Sequence, residues 1–157
     1  MAERTCCFFG HREIKETDEL KNRVYKVIEK MIVDEKADTF LFGSRSQFDS
    51  LCLSIVTMLK EKYTHIKRVY VRAEFAIISE EYKSYLLKSY DDTFYPESIV
   101  GAGKAAYIER NFEMIRNSRY CIVYYDDFGT HNRKSGTEIA LKYALKQGKE
   151  ITNCCQS

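Results

Sequence analysis

The sequence has no Trp, one Pro and seven Gly in 157 residues. So few chain breakers exclude a Pro-rich spacer, a flexible Gly/Ser tether and a low-complexity tract. Long apolar runs are also missing. The longest are strand-sized, far short of the roughly 20 residues that a spanning helix needs. The first five residues carry no apolar signal segment and no cleavage-site pattern, so the expected location is the cytoplasm. Charge of one sign is absent too, with 25 basic residues against 23 acidic ones and a net charge of +2. That balance argues against a nucleic-acid partner, and the interleaving of bases with acids reads as a solvated surface. Six Cys are present, but no C-x-x-C. His11, His65 and His131 form no zinc spacing with them, so neither a metal nor a cofactor is expected. Cys6, Cys7 and Cys121 lie in apolar runs, where Cys behaves as a small hydrophobe. Reduced thiols fit a cytoplasmic chain.

What is present is an alternation of strand and helix signals. Thr5–Phe9 is an apolar run stopped by Gly10, the pattern of a buried strand and a turn. Leu20, Val24, Val27, Ile28, Met31 and Ile32 then recur at helical spacing, with Thr17 or Asp18 as the cap. Thr39–Phe42 repeats the strand pattern and ends at Gly43. Ser46 and Asp49 have the spacing of a capping box ahead of the stripe Leu51, Ile55, Met58 and Leu59. Ile66–Val71 is rich in β-branched residues. Residues 79–90 read as a helix, and 91–103, with the one Pro and two Gly, as a long loop of the kind that closes over ligands. Ala105, Ile108, Phe112 and Ile115 mark another helix. A strand follows at Tyr120–Tyr125, then a polar loop over 126–135. A helix over 136–147 ends at Gly148, and the last strand spans Glu150–Cys154. This order predicts one α/β domain over residues 1–157. It is a Rossmann-like, mostly parallel five-stranded sheet with helices on both faces and strand order 3-2-1-4-5.

In such sheets ligands bind beyond the carboxyl ends of the strands, where the strand order reverses. Those ends carry Gly10-His11-Arg12, Gly43-Ser44-Arg45-Ser46, Arg72-Ala73-Glu74, and Asp126 followed by Ser135-Gly136-Thr137-Glu138. Together they suit an anion. A helix start offers unpaired N–H groups and the positive end of its dipole, Gly admits a close backbone approach, and Arg presents a planar fork of donors. Asp126 has the chemistry to accept from a ribose hydroxyl. Each piece alone has a plainer reading. Gly136-Thr137 and Asp49 serve as caps, Gly43 as a strand stop, the arginines as solvated side chains and His11 as a polar packing residue.

With these residues in hand, the chain resembles the SLOG superfamily, a Rossmann-like group that includes the lonely guy phosphoribohydrolases and DNA-processing proteins. The nearest likeness is to its stand-alone bacterial branch. The resemblance covers nearly the whole chain. It rests on Phe9-Gly10-His11-Arg12, on Phe42-Gly43-Ser44 with Asp49, on Arg110-Asn111 with Met114, and on Ser135-Gly136-Thr137. It implies a nucleotide-like ligand at the loops after the first, second and fourth strands, and a homodimer or higher homo-oligomer. There are departures. The phosphoribohydrolases place a Glu three residues after the Thr of their Gly-Thr pair; here that position is Ala140, and the nearby acid is Glu138. Arg133-Lys134-Ser135 replaces their preceding glycines, and Ser44-Arg45 stands where a Gly pair is usual.

Three functions compete. The first is a binding or sensor domain for a nucleotide-derived molecule. Gly43, Ser44, Arg45, Ser135, Gly136 and Thr137 would hold phosphate, Arg12 and Arg110 would add charge, and Asp126 would meet ribose. The missing Glu at position 140 favours it. The second is an N-glycoside hydrolase or transferase in which Glu138 or Asp126 stabilises an oxocarbenium-like sugar. The third is single-stranded nucleic-acid binding through the twelve Tyr and nine Phe, against which stands the near-neutral charge.

Overall fold

A computed structural model describes residues 2–126 and 136–155. Six strands, β1 (Thr5–Gly10), β2 (Thr39–Phe42), β3 (Lys67–Val71), β4 (Asp92–Phe94), β5 (Tyr120–Tyr124) and β6 (Glu150–Asn153), alternate with five helices. These are α1 (Asp18–Val33), α2 (Gln47–Lys62), α3 (Glu80–Leu86), α4 (Ala106–Arg116) and α5 (Gly136–Lys146). Short 3-10 turns lie at Ala2–Arg4, Glu97–Ile99 and Gly103–Ala105. All strand pairs are parallel, in the order β4-β3-β2-β1-β5-β6.

The five expected strands, β3-β2-β1-β5-β6, keep the expected neighbours, but the sheet has six strands, not five. The extra one, β4, lies inside the segment read as a loop over 91–103. Its three residues are too short and too polar to show a strand period, and tertiary contacts hold it. Asp91 makes a two-pronged ion pair with Arg68, at 3.0 and 3.1 Å. Thr93 Oγ1 donates to the Tyr70 carbonyl at 2.8 Å. The rest of that segment is anchored at two points. Ile99 is fully buried, and Ser98 donates to Glu113 of α4 at 2.6 Å.

The strand pleat divides the core. Cys6, Phe8, Phe40, Phe42 and Ile122 face α1 and α2 with Leu20, Val24, Ile28, Leu51, Ile55 and Leu59. Cys7, Phe9, Leu41, Val69, Val71 and Val123 face α4 and α5 with Met114, Ile115, Ala140 and Ala144. Both faces are therefore covered, as an all-parallel sheet requires. The caps follow the sequence at Thr17, whose Oγ1 accepts from Leu20 N, and at Gly148, which has φ +70. Among the described residues no helix is long and apolar enough to cross a membrane.

The order reverses between β1 and β5, and chain leaves the sheet on opposite faces there. One glycine at this point is fixed by contact. A Cβ on Gly10 would lie 2.6–2.8 Å from Phe48 of α2, including its Cβ. Gly10→Ala should destabilise the fold by about 1–3 kcal/mol through this overpacking. The measurement is the urea midpoint, expected to fall with the slope unchanged.

Candidate functional site

The loop between β2 and α2 is built around one buried carboxylate. Ser46 caps α2, its Oγ accepting from Asp49 N at 3.1 Å. The second half of a capping box is absent. Asp49 instead turns under the loop, where its Oδ2 accepts from Gly43 N at 3.3 Å and from Ser44 N at 3.1 Å. The other oxygen, Oδ1, is buried with no hydrogen-bond partner among the described residues. Burial pushes the Asp49 carboxyl up to about 7, against the lowering effect of those two amides and of Arg110.

Arg110, on α4, closes the same loop from the other side. It is 3% exposed, and its Nη1 donates to the Gly43 carbonyl at 2.5 Å and to the Val71 carbonyl at 3.3 Å. Its Nε donates to Asn111 Oδ1 at 2.9 Å. Burial lowers its guanidinium's affinity for a proton, while Tyr70 and Asp49 act in the opposite direction. Gly43 is required where these groups converge, because a Cβ would lie 2.6 Å from Met114 Sδ and 2.8 Å from the Arg110 side chain.

Above this framework, at the carboxyl ends of β1, β2 and β3 and at the start of α5, lies a cavity of about 530 Å³. Ten of the sequence candidates line it: Gly10, His11, Arg12, Gly43, Ser44, Arg45, Arg110, Asn111, Gly136 and Thr137. Asp49 does not, since it sits beneath the loop. Asp126 is not among the lining residues; its N–H donates to His11 Nε2 at 2.9 Å, which ties the β1 and β5 exits together. Glu138 is not a lining residue either, and its Oε1 lies 3.3 Å from Lys142 Nζ one helical turn on. Ser135 lies outside the described residues. No residue of 91–103 reaches the cavity. Ala140, where the resembled enzymes place a Glu, is packed in the core at 1% exposure.

The lining also includes Phe9, Ser46, Tyr70, Glu74 and Tyr107, none of them a sequence candidate. The Tyr70 hydroxyl raises the affinity of the Arg45 guanidinium for its proton. Tyr107 Oη donates to Glu74 Oε1 at 3.3 Å. Helical spacing offered a signal for Tyr107, which lies three and four residues before Arg110 and Asn111. Glu74 was visible only as one residue of a strand exit.

The cavity therefore has two different walls. At the β5–β1 side, Gly136 and Thr137 open an 11-residue helix whose first N–H groups have no intrahelical partner. Arg12 stands there as an exposed cation, whereas Arg45, also exposed, interacts with Tyr70 and Glu74 of the facing wall. The amides of Gly43 and Ser44 are already taken by Asp49, so the β2 loop offers a ligand mainly side chains. Compared with known proteins, the chain matches no family model and no curated protein.

Because Asp49 holds its proton more tightly when folded, its ionisation works against the fold as pH rises. Between about pH 4 and 7 the unfolded chain releases this proton and the folded chain keeps it, so stability falls across that window. Asp49→Asn should flatten this part of the profile. Urea midpoints of both proteins at pH 4.5 and 7.5 check it: the wild-type midpoint should fall from the lower to the higher pH by more than the variant's does.

Proposed function

We propose that this chain is a SLOG-like binding or sensor domain for a nucleotide or nucleotide-derived small molecule, held at the carboxyl ends of its parallel strands. The observation that carries the reading is the cavity at the reversal point. It joins a helix start, exposed arginines and tyrosine side chains in about 530 Å³, a volume in the range of small-molecule sites. The helix start and Arg12 suit phosphate, through N–H groups and dipole at one and a charged planar fork at the other. The tyrosines suit the flat face of a base.

Binding is favoured over cleavage by the position of the two acids nominated for that chemistry. Neither Glu138 nor Asp126 lines the cavity, and a group acting on a glycosidic carbon has to be placed to within about an ångström. Single-stranded nucleic acid is disfavoured because the arginines are gathered in a pocket rather than along a stripe that could follow a backbone.

The test is a thermal-shift and calorimetry panel of nucleoside mono-, di- and triphosphates and ADP-ribose, with inorganic phosphate as control. A nucleotide at 100 times its Kd should stabilise the fold by about 2.7 kcal/mol and be recovered intact. Arg12→Ala and Arg45→Ala should each weaken it about tenfold, the scale of one lost hydrogen bond to a charged group. A panel in which no nucleotide binds would overturn the reading, and recovery of free base would turn it towards the hydrolase.

A further inference from the structure

The wall opposite α5 has the wrong chemistry for phosphate. Glu74 carries a negative charge into the lining, and its interactions with Arg45 and Arg110 partly neutralise those cations on that side. A carboxylate accepts hydrogen bonds and donates none when ionised, so whatever reaches it has to bring N–H or O–H groups. Beside it stands Tyr107, which is 52% exposed and whose hydroxyl donates to Glu74. Asn111, whose Oδ1 accepts from Arg110, adds an amino donor to the lining. A flat ring, an acceptor and a donor side by side are the means by which proteins recognise a base.

The carrier of Glu74 is braced. Arg72 donates to the carbonyls of Phe75 at 3.1 Å and Ala76 at 3.2 Å, and to Thr93 Oγ1 at 3.1 Å. This fastens the loop after β3 to the edge strand β4. Distance then separates base from sugar. From β5 to β3 is three strand spacings, about 14 Å. That exceeds the reach of a ribose from its own phosphate and is on the scale of the far edge of a base.

We infer that Glu74, with Tyr107 beside it, is the base-reading element of the cavity, and that it selects nucleotides whose base carries an exocyclic amino group. The inference rests on the nucleotide reading above, with the phosphate at the start of α5.

The experiment is calorimetric titration of wild type, Glu74→Ala and Tyr107→Ala with pairs differing by one amino group. These are AMP against purine riboside 5′-monophosphate and GMP against IMP, with 2′-deoxy-AMP as the sugar control. Glu74 is exposed, so its removal leaves the core untouched. Wild type should prefer the amino-bearing member of at least one pair by about tenfold, the scale of a hydrogen bond to a charged group. Glu74→Ala should bring that ratio within twofold while still binding both. Tyr107→Ala should weaken both members alike. An unchanged ratio in Glu74→Ala overturns the inference and leaves the nucleotide site standing. Loss of discrimination between AMP and 2′-deoxy-AMP instead would assign Glu74 to the sugar and also overturn it. If wild type binds none of these nucleotides, the nucleotide reading falls and this inference with it.

Discussion

Gly43 is gripped at both of its backbone polar groups. Its N–H points to the buried Asp49 carboxylate and its carbonyl to the buried Arg110 guanidinium. These side chains come from α2 and α4, which pack on opposite faces of the sheet. The loop at the end of β2 is thus where the two layers are stitched together through the plane of the sheet. Neither side chain could be buried alone at acceptable cost. Each is tolerated because the loop backbone supplies hydrogen bonds to it. The path of this loop fixes Ser44, Arg45 and Ser46 above it, and thereby one side of the cavity.

The arrangement separates support from recognition. Asp49 satisfies the amides that a phosphate-cradling loop would otherwise present, in effect filling the anion position from within. The anion-directed surface is left to Arg12 and the start of α5. The wall carried by β3 and α4 has the opposite character, with a carboxylate and a half-exposed tyrosine. A ligand that satisfies both has to be anionic at one end and a flat hydrogen-bond donor at the other, which describes a nucleotide well. The short connection between His11 and the Asp126 N–H keeps the exits of β1 and β5 together at the reversal point between the walls.

Most of this architecture was legible because the first two strands are short apolar runs stopped by Gly10 and Gly43, and the helices keep clean periods, the last of them ended by Gly148. The neighbour order of the five strands other than β4 followed from alternation and crossover handedness. The strand β4 was hidden because its pairing depends on Asp91–Arg68 and on the Thr93 hydroxyl, which are contacts across 23 residues. At the site, loops that follow strands directly were easy to nominate, and ten nominated residues share the cavity. Local spacing misled where one side chain had two available partners. Asp49 has the position of a capping-box acid, yet it serves the loop before the helix. Asp126 and Glu138 sit at the right sheet edge but do not line the cavity; the backbone N–H of the first is held by His11, and the second pairs along α5 with Lys142. Glu74 and Tyr107 meet only because two segments 33 residues apart fold together.

The central claim is that one end of the cavity holds an anionic group and the other a base. The most direct measurement is a titration of the isotope-labelled protein with AMP, followed by amide NMR. The account predicts the largest shifts at the amides of Gly10–Arg12 and Gly136–Thr137 and at those of Glu74 and Tyr107. Inorganic phosphate should move only the first of these sets. Shifts confined to residues away from the carboxyl ends of the strands, or no shifts at millimolar AMP, would contradict it.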